Sequence, residues 1–312
     1  MLRIGFDIGG TNIDVGAVDE QNRIVARRKQ PFPKGRPYTE TVKIMEDLVY
    51  ELLQETGSTT DDLASIGIGI PGSINVSKGT VISAHNLGFY DVPMRAAVGE
   101  RFPVTPVFLN NDANTATLAE FRMGALRGCR TGILLTLGTG VGGGLILCGD
   151  VFEGGLGHGV ELGHMCIDRK GPLCTCGNKG CVETLCSATW LEEQGKKALS
   201  ESPSGMIGSL ARGQMDRVDG KVVIDAAKTG DPTAMDIFDR YVDQLSTALS
   251  SYAVLLDPEV MVLGGGVSHA GEFLLEPLRQ RVKEKSFFHY THKIVAAEMG
   301  NDAGIIGAAL LR

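Results

Sequence analysis

The chain has 312 residues, 43% hydrophobic and 21% charged, with a net charge of -7. That composition supports a sizeable core in one large or two smaller domains and excludes wholesale disorder. The acidic balance argues against a general nucleic-acid binder, which needs a basic face. No apolar run reaches the length of a membrane span. The start "MLRIGFDIGG" lacks the charged n-region and apolar core of a secretory signal. A cytoplasmic protein with no nucleic-acid and no membrane partner is the expectation, and its thiols are then reduced.

In chain order, "LRIGFDI" (2–8) reads as a buried strand, "GGTN" (9–12) as a turn and "IDVGAVD" (13–19) as a returning strand, with "RIVARRKQ" a third. Residues 38–57 carry apolar side chains at 42, 45, 48, 49, 52 and 53 and stop at Gly57, the pattern of an amphipathic helix. "SIGIGI" (65–70) is a strand ending at Pro71-Gly72. "VFLNN" runs into a helix that begins near Asp112. Residues 131–147 repeat the strand, Gly-rich turn, strand pattern. Ser187 is a good N-cap for a following helix. Residues 232–257 form a long helix, 259–267 a strand ending on glycines, and 304–311 a closing helix.

"IGFDIGGTNIDVGAV" (4–18) and "ILLTLGTGVGGGLIL" (133–147) align, with Asp7 matching Thr136 and Gly9 matching Gly138. Such a repeat suggests two similarly built domains, although glycine hairpins recur in many folds. Glycine turns bearing threonine let backbone N–H groups approach an anion. Two of them plus Gly264-Gly265-Gly266 favour a nucleotide over ordinary hairpins, and none matches the P-loop or dinucleotide patterns. A carboxylate at Asp7 beside a polyphosphate needs a cation between them, so Asp7 implies Mg²⁺, held through water. The alternative is an Asp that caps its own turn.

Residues 164–183 hold His164 and four of the seven cysteines. Cys174, Cys176 and Cys181, in a C-x-C-x4-C array, make with His164 a closed four-ligand set suited to structural zinc; reduced thiols without metal are the alternative. Cys129, Cys148, Cys166 and Cys186 lack that spacing. Zinc on Cys181 and His164 would fix where Glu183 and Glu161 point, making a polar pocket of Glu161, His164 and Glu183. Taken singly, either glutamate reads as a solvated acid.

Together these residues resemble the ROK family of sugar kinases and sugar-responsive repressors. The matching motifs are "DIGGTN" (7–12), "PGSIN" (71–75), "NND" (110–112), "LGTGVGGG" (137–144), "ELGH" (161–164), "CTCGNKGC" followed by Glu183, and "LGGG" (263–266), in family order. The resemblance implies an α/β, actin-like (ribonuclease H-like) two-domain ATPase fold with a central cleft. It implies domains at 1–111 and 112–299, with a helix at about 300–312 returning to the first. It further implies ATP-dependent phosphorylation of a hexose, glucose first, with N-acetylmannosamine, fructose, allose and glucosamine as other acceptors, and a homodimer. A sugar-sensing regulator is the rival reading, and with the phosphate turn at Gly9 no N-terminal DNA-reading module is expected.

Carried over by position, Asp112 is the general base. Asn111, Glu161, His164 and Glu183 hold sugar hydroxyls, with Gly72 and Asn86 on loops over the sugar. Asp7, Gly9, Gly10, Thr11, Asn12, Thr139, Gly140, Gly265 and Gly266 surround ATP and its Mg²⁺. His164, Cys174, Cys176 and Cys181 hold zinc. The chain departs from the family pattern at Gly159-Val160, where Ala-Gly is usual, and at Phe89-Tyr90, where glucokinases often carry tryptophan.

Overall fold

A computed structural model describes residues 1–157 and 159–312. The elements in chain order are β1 (Leu2–Ile8), β2 (Asn12–Val18), β3 (Ile24–Pro31), α1 (Tyr38–Thr56), β4 (Leu63–Ile70), β5 (Ser73–Asn75), β6 (Thr80–Ala84), β7 (Phe89–Val92), α2 (Met94–Gly99), β8 (Val107–Asn111) and α3 (Asp112–Met123). There follow β9 (Gly132–Leu137), β10 (Val141–Leu147), β11 (Asp150–Val151), α4 (Val182–Cys186), α5 (Ala188–Glu201), α6 (Met206–Leu210), α7 (Gly220–Lys228), α8 (Pro232–Leu256), β12 (Val260–Gly264), α9 (Glu272–Lys285), β13 (Lys293–Ala296) and α10 (Ala303–Ala309). The chain is mixed α/β. It divides into two compact units, one of residues 1–127, 150–160 and 299–312, the other of residues 128–149 and 161–298.

In the first unit the sheet order is β3-β2-β1-β4-β8. β1, β2 and β3 pair antiparallel, while β4 and β8 run parallel to β1. The interior strands are buried on both faces and therefore read as near-continuous apolar runs. α1 turns Val42, Met45, Leu48, Val49, Leu52 and Leu53 into the core and ends at Gly57 in the left-handed conformation. α10 packs on β1, β4 and α3, with Ile305 and Ala308 fully buried. The unit thus keeps α3, which the 111/112 junction expected from sequence assigned to the second domain. The cause is packing: Gly307 lies so close to Thr115 that an added Cβ would sit 1.8 Å from its carbonyl oxygen. A three-stranded antiparallel sheet, β5-β6-β7, is also present, and the sequence reading did not anticipate it. Its strands are three to five residues long, too short to show a period.

The second unit repeats the plan. β9 and β10 form an antiparallel hairpin, and β12 and β13 follow in parallel beyond β9. The strand read over 259–267 stops at Gly264, and residues 266–270 form a 3-10 turn instead. Gly265 takes φ +79°, which breaks the ladder. Ser187 caps α5 by accepting a hydrogen bond from the Trp190 N–H, as the sequence led us to expect. α8 begins on the Asp231 cap and Pro232, and lays Ile237, Phe238, Tyr241, Leu245, Leu249 and Tyr252 into the core.

Candidate active site

In the first unit β8 delivers Asn111 and Asp112 to the start of α3. Asn111, not Asp112, is the N-cap: its Oδ1 accepts from Ala113 N (2.8 Å) and Asn114 N (3.2 Å). Asp112 occupies the first helical position, and its Oδ1 also accepts from Ala113 N. The same Asn111 side chain donates from Nδ2 to the Gly72 carbonyl at 3.1 Å. Gly72 has φ +100°, and a Cβ there would lie 2.1 Å from the Ser83 carbonyl oxygen, so only glycine fits. Gly72, Asn111 and Asp112 are thereby one constellation.

The β1–β2 turn is closed by Gly9 N donating to Asn12 O at 2.8 Å, and Thr11 O accepts from Phe32 N. Asn86 faces this turn, its Nδ2 lying 3.3 Å from where a Cβ on Gly10 would be. At the end of β1, Asp7 stands directly opposite Asp14 in the ladder. Burial raises its carboxyl to about 6, with Asp14 adding to the rise and Arg27 and Lys29 opposing it. Arg27 bridges Asp14 (3.2 Å) and Asp302 (2.8 Å), and Lys29 pairs with Asp14 at 2.9 Å. Asp14 and its cationic partners escaped the sequence reading because nothing in a period-two strand marks them as facing Asp7. Phe89 is buried against Phe32, and Tyr90 is exposed, its hydroxyl 3.0 Å from His85 Nδ1.

In the second unit Glu161 immediately precedes the 3-10 turn Leu162–His164, and His164 closes it. Gly163 allows it to abut β10, since a Cβ there would sit 1.8 Å from the Val141 carbonyl oxygen. The buried Tyr252 hydroxyl donates to Leu162 O at 2.6 Å and fastens the turn to α8. Burial raises the Glu161 carboxyl; His164 lowers it and Glu183 raises it further.

The ligand atoms of His164, Cys174, Cys176 and Cys181 all lie within 4.8 Å of one another. Cys176 Sγ is 3.7 Å from Cys181 Sγ, and Cys174 Sγ is 3.5 Å from His164 Nδ1. A disulfide would need about 2.05 Å. Tetrahedral zinc, with bonds of about 2.3 Å to sulfur and 2.0–2.1 Å to nitrogen, has edges of about 3.8 and 3.5 Å, so the donor set fits that ion. The Asn178 backbone N–H leads in lowering the Cys176 thiol, whereas burial pushes Cys181 up to about 12.

Glu183 opens α4 two residues after Cys181. Its Oε2 accepts from Val141 N at 3.1 Å, and its Oε1 lies 3.9 Å from Cys174 Sγ. A Cβ on Gly140 would be 2.4 Å from Oε2, so the carboxylate lies against the Gly-rich turn. That turn is braced by Thr189 Oγ1 donating to Thr139 O (2.7 Å) and Ala188 N donating to Gly138 O (2.8 Å). Gly265 meets the end of β9, where its Cβ would clash with the Leu137 backbone, and Gly266 begins the next 3-10 turn. Glu161, His164 and Glu183 thus gather around the four-ligand cluster, and Thr139 and Gly140 lie beside them.

Gly159 takes φ +87° and Val160 does not enter the left-handed region. The valine therefore carries no left-handed backbone strain.

A family model described as "ROK family" matches residues 3–312. A glucokinase of Thermotoga maritima is 36% identical over 309 residues, covering 98% of this chain and 95% of the relative. A glucokinase of Streptomyces coelicolor is 33% identical, covering 99% and 96%. Among solved structures, a ROK family glucokinase from Streptomyces griseus in complex with glucose and AMPPNP superposes with TM-score 0.83 at 33% identity, covering 99% of this chain and 98% of that one. The chain belongs to the ROK family.

Proposed function

We infer that the protein is an ATP-dependent hexose kinase that converts glucose to glucose 6-phosphate. The observation that carries the reading is the double role of Glu183. One carboxylate touches the Gly-rich turn at Val141 N and the thiol cluster at Cys174, so an acceptor-binding group and a phosphate-binding turn share one support. The full-length likeness to glucokinases points the same way. Its two units correspond to the two domains of an actin-like ATPase, a correspondence supported by the repeated hairpin-plus-parallel-strand plan.

Phosphoryl transfer asks for positioning and charge neutralisation more than for covalent chemistry. Asn111, Glu161, His164 and Glu183 hold the sugar hydroxyls. Gly9 to Asn12, Thr139, Gly140, Gly265 and Gly266 receive the nucleotide. Mg²⁺ near Asp7 neutralises phosphate charge when bound. The hexose hydroxyl oxygen bonds to the γ-phosphorus as the bond to the β–γ bridging oxygen breaks. ADP leaves with that oxygen, and the hydroxyl proton passes to Asp112. The first turn of α3 favours the ionised carboxylate there, which suits a proton acceptor. Zinc held by His164, Cys174, Cys176 and Cys181 would be structural, because four protein ligands leave no position for substrate. A cytoplasmic homodimer completes the reading, testable by sedimentation; among the described residues no helix is long and apolar enough to cross a membrane.

A coupled assay of ADP release across glucose, N-acetylmannosamine, fructose, allose and glucosamine tests the activity. Turnover should depend on added sugar, with glucose giving the highest kcat/KM. Sugar-independent hydrolysis would overturn the kinase, and preference for another hexose would reassign only the acceptor.

A further inference from the structure

Behind Asp112 lies a polar network that the sequence motifs do not explain. Asn110, the residue before the Asn111 cap, is 3% exposed. Its Oδ1 accepts from Asn111 N (2.8 Å) and from Nδ2 of Asn114 (3.0 Å), the latter in the first turn of α3. With two donors facing Oδ1, the amide has only one satisfactory orientation. Its Nδ2 then needs an acceptor, and Glu153 Oε1 supplies it at 2.7 Å. A bond from a buried amide to a carboxylate is charge-assisted and stronger than one to a neutral oxygen. Glu153 also closes its own loop: its carbonyl accepts from Gly159 N at 2.8 Å, and Gly154 O accepts from Gly157 N at 3.0 Å. The loop end comes near the helix, for a Cβ on Gly159 would lie 3.9 Å from Asn114 Nδ2. All of these residues belong to the first unit.

We propose that Glu153 is a positioning residue for phosphoryl transfer, acting through Asn110 to hold the start of α3 and with it the Asp112 carboxylate. The proposal rests on the kinase reading. Asn110 bonds on one side to the backbone N–H of Asn111 and to Asn114, which flank Asp112, and on the other to Glu153. Loss of the carboxylate leaves a buried amide donor without a partner, which the chain relieves by rotating Asn110 or withdrawing the turn. Either movement displaces the proton acceptor while leaving the ATP turns untouched. A misplacement of about 1 Å at a reacting group is enough to cost orders of magnitude in rate.

The test compares Glu153→Leu, which removes the acceptor, with Glu153→Gln, whose amide oxygen still reaches Asn110. Steady-state kinetics with glucose and Mg-ATP should show kcat for E153L falling about tenfold or more with the ATP KM unchanged. E153Q should recover kcat to within about threefold of wild type, as a neutral acceptor does part of the work of a charged one. Amide hydrogen exchange on the sugar-free protein should be faster at residues 111–115 in E153L and near wild type in E153Q. If E153L does not fold, E153D, one methylene too short for the same bond, serves in its place. The proposal is overturned by E153L turning over within twofold of wild type, by equal losses in E153L and E153Q, or by unchanged exchange at 111–115. A wild-type protein needing no hexose for ATP turnover would remove the kinase reading, and the exchange comparison would still decide whether Glu153 orders that turn.

Discussion

Asn111 caps α3, and the proposed proton transfer falls to its neighbour Asp112. Because Asn111 supplies the capping oxygen, Asp112→Asn leaves the cap of α3 in place. The variant should keep its melting temperature and its substrate binding while kcat falls by about 10²–10⁴, the usual cost of losing a general base. Near-wild-type turnover would move the base to Glu161 or Glu183. Asn111→Ala should instead lower stability by about 1 kcal/mol, because the capping bonds go, and weaken sugar binding as Gly72 loses its tie. Asp7 makes a different statement. Its carboxyl is raised by burial first and Asp14 second, to about 6 from 3.8. The folded state therefore holds this proton more tightly than the unfolded chain. The stabilisation it contributes is complete below about pH 4 and is lost as pH rises through 6. Asp7→Asn, which mimics the protonated form, should leave the melting temperature nearly unchanged near pH 4 and raise it at pH 7, by about 3 kcal/mol of stability. Its activity should fall if Asp7 takes the proposed role, because only the ionised carboxylate would face Mg²⁺. Equal melting temperatures for mutant and wild type at both pH values would mean that burial does not strain this carboxylate.

At the scale of elements, the thiol loop is joined to the residues of the proposed sugar pocket. Cys181 and Glu183 are joined by one residue, and the His164 ring and Glu161 share one short turn. Cys176→Ser should lower bound zinc from about one per chain, depress the melting temperature and raise the glucose KM together. A zinc-free protein of full activity would sever that coupling. The sequence carried much of this. Cysteine spacing and the glutamate after it can be read without a fold, because one loop holds the residues. The β1–β2 and β9–β10 hairpins were legible for a similar reason, their apolar strands flanking glycine turns. What could not be read were pairings between distant segments. Neither Asn110 with Glu153 nor Asp7 opposite Asp14 is marked by local periodicity, since each depends on which strands and loops become neighbours. The 111/112 junction failed likewise, as α3 is drawn to α10 by small-residue packing that only the folded chain reveals.

At the scale of the whole molecule, the first unit is assembled from three separated segments, and its last one is short. Residues 299–312 end the chain, yet α10 lies against β1, β4 and α3. A Cβ on Gly5 would sit 2.0 Å from the Ile305 carbonyl oxygen, and one on Gly67 1.8 Å from that of Ala308. Such backbone contact leaves no room for any other residue and no substitute for the helix. The joint is also polar: the fully buried Glu120 accepts from Met299 N and Ala125 N, both at 2.8 Å. Ile305 and Ile306 alone bury side chains worth about 1.5–3 kcal/mol each, against a total stability of only about 5–15 kcal/mol for a typical domain. Removing residues 300–312 should therefore unfold the first unit and abolish turnover, although none of the proposed substrate contacts lies in the deleted piece. Limited proteolysis should cut the deletion variant first between residues 1 and 127, with the cysteine loop still resistant when zinc is supplied. A variant that kept the wild-type melting temperature would mean that α10 decorates the sheet rather than completing it. Gly67→Ala offers the gentler version of the same experiment: one methyl group against the Ala308 carbonyl should destabilise the protein by about 1–3 kcal/mol through overpacking, and leave the zinc content of the second unit unchanged.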